Sequence, residues 1–311
     1  MQNYTDKNYL CFHNFFDLQA KINGMKYLDL NEAIKKSDSK LLKKMPAFII
    51  NLMKKMIHQD EINLFLNETA ELKGIEFHNE IIKRLNLKID ITGLENLPEN
   101  HRCFFFSNHP FGILDGLVIT QIVLDKYKDF RAIGNEAFQY IPPLRPYVGV
   151  VNVYGSTSRK YIEEIEKLYE SDIAMTYFPA GIVSRYIKGK VQDIEWKKSF
   201  ITKAVSCHRE LVPIYFYGRN SVLFYTIYVI RKLLGIKATI ELALLAHEFF
   251  RKKNSSVKVV IGPVIPYTTI DNRYNHHQWA QIIRNYVYEL GKSKKPDYPF
   301  NPSSIKNEHS E

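Results

Sequence analysis

Between residues 88 and 261 short apolar runs alternate with longer segments of helical periodicity, and that alternation restricts the chain to a layered α/β fold. The runs at 88–92, 103–106, 130–133, 148–153, 173–178, 211–216 and 257–261 have strand length, and several are bounded by Gly, Pro, Asn or Ser. Helical patterns lie between them at 116–127, 158–170 and 196–207 and within 221–252, with a last helix at 276–289. Repeated strand–helix–strand units build a mixed, mostly parallel sheet flanked by helices on both faces. Such sheets carry their ligand sites at strand ends, which draws attention to residues 107–115, 155–159 and 179–185. Residues 1–87 read as an N-terminal helical extension, with helices over 28–37, 46–57 and 60–87 and a break at Gly74. The main domain is expected over 88–292, followed by a polar tail over 293–311.

The first strand-end loop reads Ser107-Asn108-His109-Pro110-Phe111-Gly112-Ile113-Leu114-Asp115-Gly116. On one continuous helix His109 and Asp115 would stand roughly 240° apart. Pro110 and Gly112 break that continuity. A short loop can then hold His109 while Asp115, in the first turn of the next helix, reaches back to one imidazole nitrogen. That pairing fixes the tautomer and stabilises the imidazolium when the other nitrogen takes a proton. The chain has no G-x-S-x-G nucleophile elbow, so such a base would act on a proton of the substrate. The same residues also fit a helix-capping aspartate beside a surface histidine.

Other segments have the same build. Phe178-Pro179-Ala180-Gly181-Ile182-Val183-Ser184-Arg185 follows the run at 173–177, where a Pro/Gly turn brings backbone close to a ligand and Arg185 suits a phosphate or carboxylate. The strand at 211–216 ends in Gly218-Arg219-Asn220-Ser221. Gly149–Gly155 leads into Ser156-Thr157-Ser158-Arg159. A strand that ends in Gly and Arg is also an ordinary turn with a solvated charge.

Taken together and in this order, the segments resemble the glycerolipid (lysophospholipid) acyltransferase superfamily, nearest to its hemolysin-like, ornithine-lipid-type O-acyltransferase branch. The resemblance spans about residues 85–265 and four sequence blocks. Asn108, His109 and Asp115 match the first. The usual block has four residues between His and Asp and this chain has five, a longer form shared by the hemolysin-like branch. Gly155 and Arg159 match the second loosely. Phe178, Pro179 and Gly181 match the third, although Ala180 and Ile182 stand where many members carry Glu. Val212 and Pro213 match the fourth. The resemblance implies acyl transfer from a thioester, acyl-CoA or acyl carrier protein, to a hydroxyl of a lyso-phospholipid or lyso-aminolipid. His109 would be the general base and Asp115 its orienting partner. Asn108, Gly112, Gly155, Arg159, Phe178, Pro179, Gly181 and Arg185 are the expected substrate contacts. No metal and no bound cofactor are implied.

Composition bears on the partners. The formal charge of +10 over 311 residues suits an anionic membrane surface or an acidic carrier protein. Its lysines are spread over helix faces with no nucleic-acid module, so no nucleic-acid partner is expected. Cys11, Cys103 and Cys207 have neither disulfide-framework nor metal spacing. The N-terminus lacks a signal-peptide pattern. In the helix over 46–57, Met45, Phe48, Ile49, Leu52, Met53 and Met56 share a face with lysines beside it. It can lie in the head-group region or pack on the domain. The segment 222–250 is broken by Arg231, Lys232, Lys237, Glu241 and His247, short of the ~18 apolar residues of a spanning helix. The expectation is a cytoplasmic enzyme, peripheral on the inner face of the membrane, without a transmembrane span. The alternative is a basic peripheral scaffold that keeps the fold without catalysis.

Overall fold

The computed structural model describes residues 26–36, 43–134, 141, 143–150, 159–235 and 239–304. Gly155 and Cys11 lie outside the described residues. Helices α1 (Leu30–Lys36), α2 (Ala47–Met56), α3 (Gln59–Glu68) and α4 (Gly74–Leu85) come first. They are followed by β1 (Lys88–Thr92), β2 (Cys103–Ser107), α5 (Ile113–Tyr127), β3 (Arg131–Gly134), β4 (Val148–Val150), α6 (Arg159–Glu170) and β5 (Met175–Tyr177). Then come β6 (Arg185–Ile187), β7 (Lys190–Gln192), α7 (Ser199–Ser206), β8 (Glu210–Tyr217), α8 (Val222–Leu233), α9 (Leu245–Phe250), β9 (Ser256–Ile261) and α10 (His276–Ser293).

Seven strands form one sheet in the order β1-β9-β8-β2-β5-β3-β4. Every neighbouring pair is parallel except β8–β9. The expected mixed, mostly parallel sheet is therefore the one observed. The hairpin β6–β7 was not expected, because residues 179–185 read as a loop. Its turn holds Lys188 and Gly189, both at positive φ (48° and 79°), the backbone that a two-residue hairpin turn requires.

Strand β2 shows why the sheet is two-sided. All five of its residues are buried. Cys103 and Phe105 enter the core beneath α5, while Phe104 and Phe106 enter the core formed with α7 and α10. A strand covered on both faces needs a continuous apolar run rather than an alternating one. Arg209, at the turn before β8, is also fully buried. Its guanidinium donates to the carbonyls of Leu168, Tyr169, Ser171 and Ile173, closing the C-terminal end of α6.

The N-terminal helices pack rather than trail. Leu85 belongs to the core beneath α5, and His78 Nε2 lies 3.0 Å from the Leu117 carbonyl oxygen of α5. On α2 the expected stripe is split. Met53, together with Ile50 from outside the stripe, packs on Leu28, Leu30, Ile34 and Ile57, whereas Phe48 and Leu52 are 72% and 56% exposed. The short helix α1 docks to one side of the stripe, Met56 packs with Val183, Phe224, Tyr225 and Leu244, and Phe48 and Leu52 stay uncovered. The segment 222–250 divides into α8, a 3-10 turn at Ile240–Leu244, and α9. Among the described residues no helix is long and apolar enough to cross a membrane. Cys103 and Cys207 are free and buried.

Burial pulls the His78 imidazole from its ordinary 6.5 down to about 4, opposed in part by the Leu117 carbonyl. The fold therefore holds a neutral His78. The resulting stability is complete above pH 6.5 and is lost as pH falls toward 4. Urea unfolding between pH 7 and pH 4 should show this group removing on the order of 3 kcal/mol, and His78→Gln should flatten the slope. An identical slope in the variant would deny His78 this part.

Candidate active site

Residues 108–112 leave the C-terminal end of β2, flanked by the ends of β5 and β8. Asn108 is buried and its amide is committed to the neighbouring strand. Its Nδ2 donates to the Phe216 carbonyl (3.0 Å) and its Oδ1 accepts the Phe216 N–H (2.8 Å). The Asn thereby continues the β2–β8 ladder one residue past the strand, and the next residue, His109, turns out of the sheet. Gly112 caps α5 at φ +87°, where a Cβ would stand 3.0 Å from Leu245 Cδ2.

Asp115 is the third residue of α5 and has no exposure to water. Its Oδ2 accepts the backbone N–H groups of Phe111 and Gly112, each at 2.8 Å, and lies 3.0 Å from His109 Nδ1. The capping aspartate and the histidine partner, which the sequence leaves as alternatives, are one residue doing both. Burial pushes the Asp115 carboxyl up. His109 and the two N–H groups work the other way, toward carboxylate. His109 itself is mostly enclosed, with its ring stacked on Phe178 at 4.0 Å between centroids.

A second aspartate holds the loop from the other side. Asp193, just after β7, is buried. Its Oδ1 accepts the His109 backbone N–H (3.2 Å) and the Ser184 hydroxyl (2.5 Å), and its Oδ2 accepts the Trp196 indole N–H (2.9 Å). Ser184 N–H in turn donates to the His109 carbonyl (2.8 Å). Both backbone polar groups of His109 are thus bound by the 184–193 segment. Sequence reading missed Asp193, whose only local signal is the hairpin turn four residues before it.

The other expected contacts fall out differently. Phe178 and Gly181 form a tight turn, with Gly181 N–H donating to the Phe178 carbonyl and φ of +70° at Gly181. Pro179 accepts the Lys197 N–H. Arg159 opens α6. Arg185 requires correction as an expected anion contact. It is only 3% exposed, its Nη2 lies 3.2 Å from Glu241 Oε1, and its guanidinium lies over the Phe224 and Tyr228 rings. Arg231 Nε reaches the other oxygen of Glu241 at 2.7 Å. A guanidinium taken this far from water needs a counter-charge, and Glu241 supplies it from within the protein. Asn108, expected at the substrate, is likewise a strand clamp.

Asp193→Asn keeps the shape but turns one acceptor oxygen into a donor facing an N–H. Chemical denaturation should show a loss of roughly 1–3 kcal/mol. A variant as stable as the wild type would mean that Asp193 does not hold this loop.

The chain is similar to several known proteins. A family model described as "Acyltransferase" matches residues 33–296. A lyso-glycine lipid O-acyltransferase from Phocaeicola vulgatus is 38% identical over 264 residues, 85% of this chain and 95% of that protein. One of the same name from Bacteroides thetaiotaomicron is 35% identical over 265 residues, 85% of this chain and 97% of that protein. A crystal structure of the 1-acyl-sn-glycerophosphate (LPA) acyltransferase PlsC from Thermotoga maritima is similar at TM-score 0.44 and 18% identity, covering 77% of this chain and 95% of that one.

Proposed function

The chain belongs to the acyltransferase family and is an acyltransferase, and we propose that it moves a fatty acyl chain from an acyl thioester, on CoA or acyl carrier protein, to the hydroxyl of a lyso-lipid. The names of the two relatives support a lyso-glycine lipid as that acceptor. The observation that carries the chemistry is the 3.0 Å approach of His109 Nδ1 to a carboxylate that two backbone N–H groups already hold. With Nδ1 turned to Asp115, Nε2 is the nitrogen that takes a proton. In this reading Nε2 accepts the hydroxyl proton as the oxygen attacks the thioester carbonyl carbon. The C–S bond then breaks, and the proton passes from Nε2 to the departing thiolate. Asp115 holds the tautomer and offsets the imidazolium charge. No enzyme nucleophile is needed, because the thioester is already activated. A non-catalytic scaffold is the reading that family membership argues against.

We place the enzyme on the inner face of the membrane, bound peripherally. The charge of +10 and the exposed Phe48 and Leu52 beside Lys54 and Lys55 support that reading.

A positioned general base is worth about 10²–10⁴-fold. Purified wild type should acylate a lyso-glycine lipid from acyl-CoA or acyl carrier protein, and His109→Ala should be slower by that factor while still folded at the assay temperature. Wild type that acylates no lyso-lipid from either donor, or a His109→Ala as active as wild type, would overturn the proposal.

A further inference from the structure

Between β7 and α7, residues 193–196 form neither helix nor strand, and Asp193 and Trp196 at the two ends are buried. Backbone N–H and C=O groups placed there must find partners elsewhere in the protein. Helix α10 supplies them. Tyr288 Oη accepts the Asp193 N–H (2.8 Å), and Arg284 Nη2 donates to the Asp193 carbonyl (2.7 Å) and to Gln192 Oε1 (3.1 Å). Gln281 Oε1 accepts the Trp196 N–H (3.2 Å), and its Nε2 donates to the Trp196 carbonyl (2.8 Å). All four backbone polar groups of Asp193 and Trp196 are therefore held by side chains at i, i+3 and i+7, on one face of one helix.

That helix is itself firmly placed. The Asn275 side chain caps its first turn and the Gln278 side chain accepts the Asn275 N–H in return. Trp279, Ile283, Tyr286 and Val287 are buried in the core that also takes Phe104 and Phe106 of β2. Tyr288 packs edge-on against Tyr215 of β8, with 5.7 Å between ring centroids. Burial, helped by the Asp193 carboxylate, holds the Tyr288 phenol well above its ordinary 10, so it stays a neutral hydroxyl. With the Asp193 backbone fixed in this way, only side-chain rotation is left to its carboxylate. Bonds to the Ser184 hydroxyl and the Trp196 indole lock that too, and the remaining bond goes to the His109 N–H. Two hydrogen bonds, Tyr288 to Asp193 and Asp193 to His109, thus connect α10 to the base.

We infer that Gln281, Arg284 and Tyr288 are positioning residues for the acyl transfer: through Asp193 they set the His109 backbone, and with it the approach of Nδ1 to Asp115. This rests on the general-base reading of His109 above and deepens it. Asp115 is fixed independently, by the first turn of α5. The histidine and its carboxylate are therefore carried by different parts of the fold, and their 3.0 Å separation lasts only while those parts keep register. A displacement of about 1 Å at a reacting group can cost about 10²-fold in rate. Releasing one of the α10 contacts leaves the others in place, so a loss nearer tenfold is expected.

The test compares full-length Tyr288→Phe and Arg284→Met with Asn275→Ala, which removes the α10 cap without touching residues 193–196. With a lyso-glycine lipid and an acyl thioester as substrates, Tyr288→Phe and Arg284→Met should each lower kcat about tenfold. The KM of either substrate should stay within about twofold of wild type. Protein labelled with 15N-histidine reports which ring nitrogen carries the proton, and the His109 signals are identified by their loss in His109→Ala. Wild type should hold the proton on Nδ1, and the two α10 variants should share it between Nδ1 and Nε2. Asn275→Ala should melt at a lower temperature yet keep the wild-type kcat and tautomer. Wild-type kcat in Tyr288→Phe and Arg284→Met would overturn the inference. So would a lowered kcat with the tautomer unchanged, or an equal loss in Asn275→Ala, which would reduce α10 to a structural support. Because the spectra need no turnover, a wild type that transfers no acyl chain but loses its His109 tautomer in Tyr288→Phe would sink the catalytic reading and leave the positioning by α10 standing.

Discussion

A carboxylate with no contact with water, set in the first turn of α5, is the constraint on which the rest of the site depends. Isolated, Asp115 would be too costly to ionise there. Two backbone N–H groups, the positive end of the helix and an imidazole together make it tolerable. Those partners exist only if the chain bends at Pro110–Gly112, and the bend holds only while Asn108 stays on Phe216 and Asp193 stays on the His109 backbone. The geometry of the candidate site is thus a property of three strand ends rather than of one motif.

A second economy of charge runs beside it. Arg185 and Arg231 share Glu241 in the packing between the β6–β7 hairpin and α8. Removing one partner of such a cluster leaves the other buried and uncompensated, a large loss, although the intact cluster adds little net stability over an apolar one. Its value is in specifying how the hairpin seats, and the hairpin carries Ser184 and Asp193 to the back of the His109 loop.

Much of the fold was legible because the strands are buried on both faces. The apolar run at 103–106 and the exact recovery of 88–92 as a strand needed only composition and length. His109 and Asp115 were legible because a Pro/Gly break leaves a strong local trace. The failures have a common physical cause. Arg185 after a glycine turn looks the same whether its partner is a ligand or Glu241 far along the chain. Asn108 reads as a polar site residue although the strand beside it consumes its amide. The β6–β7 strands are three residues each, too short for a period to show. Asp193, Asn220 and Lys252 gain their meaning from the loop after β2, where they meet His109 or Phe111, and no local pattern carries that information.

The strand order has a kinetic consequence. Asn108 and Phe216, which brace the turn before His109, are 108 residues apart in the chain. During synthesis β2 therefore emerges long before β8, the strand it must lie against, and β9 follows later still. Contacts of such high sequence separation form late and slowly. Until then Phe104, Phe105 and Phe106 can pair with β5 but leave the other edge of β2 open, so the nascent chain carries an exposed strand edge and an unbraced His109 turn during the same interval.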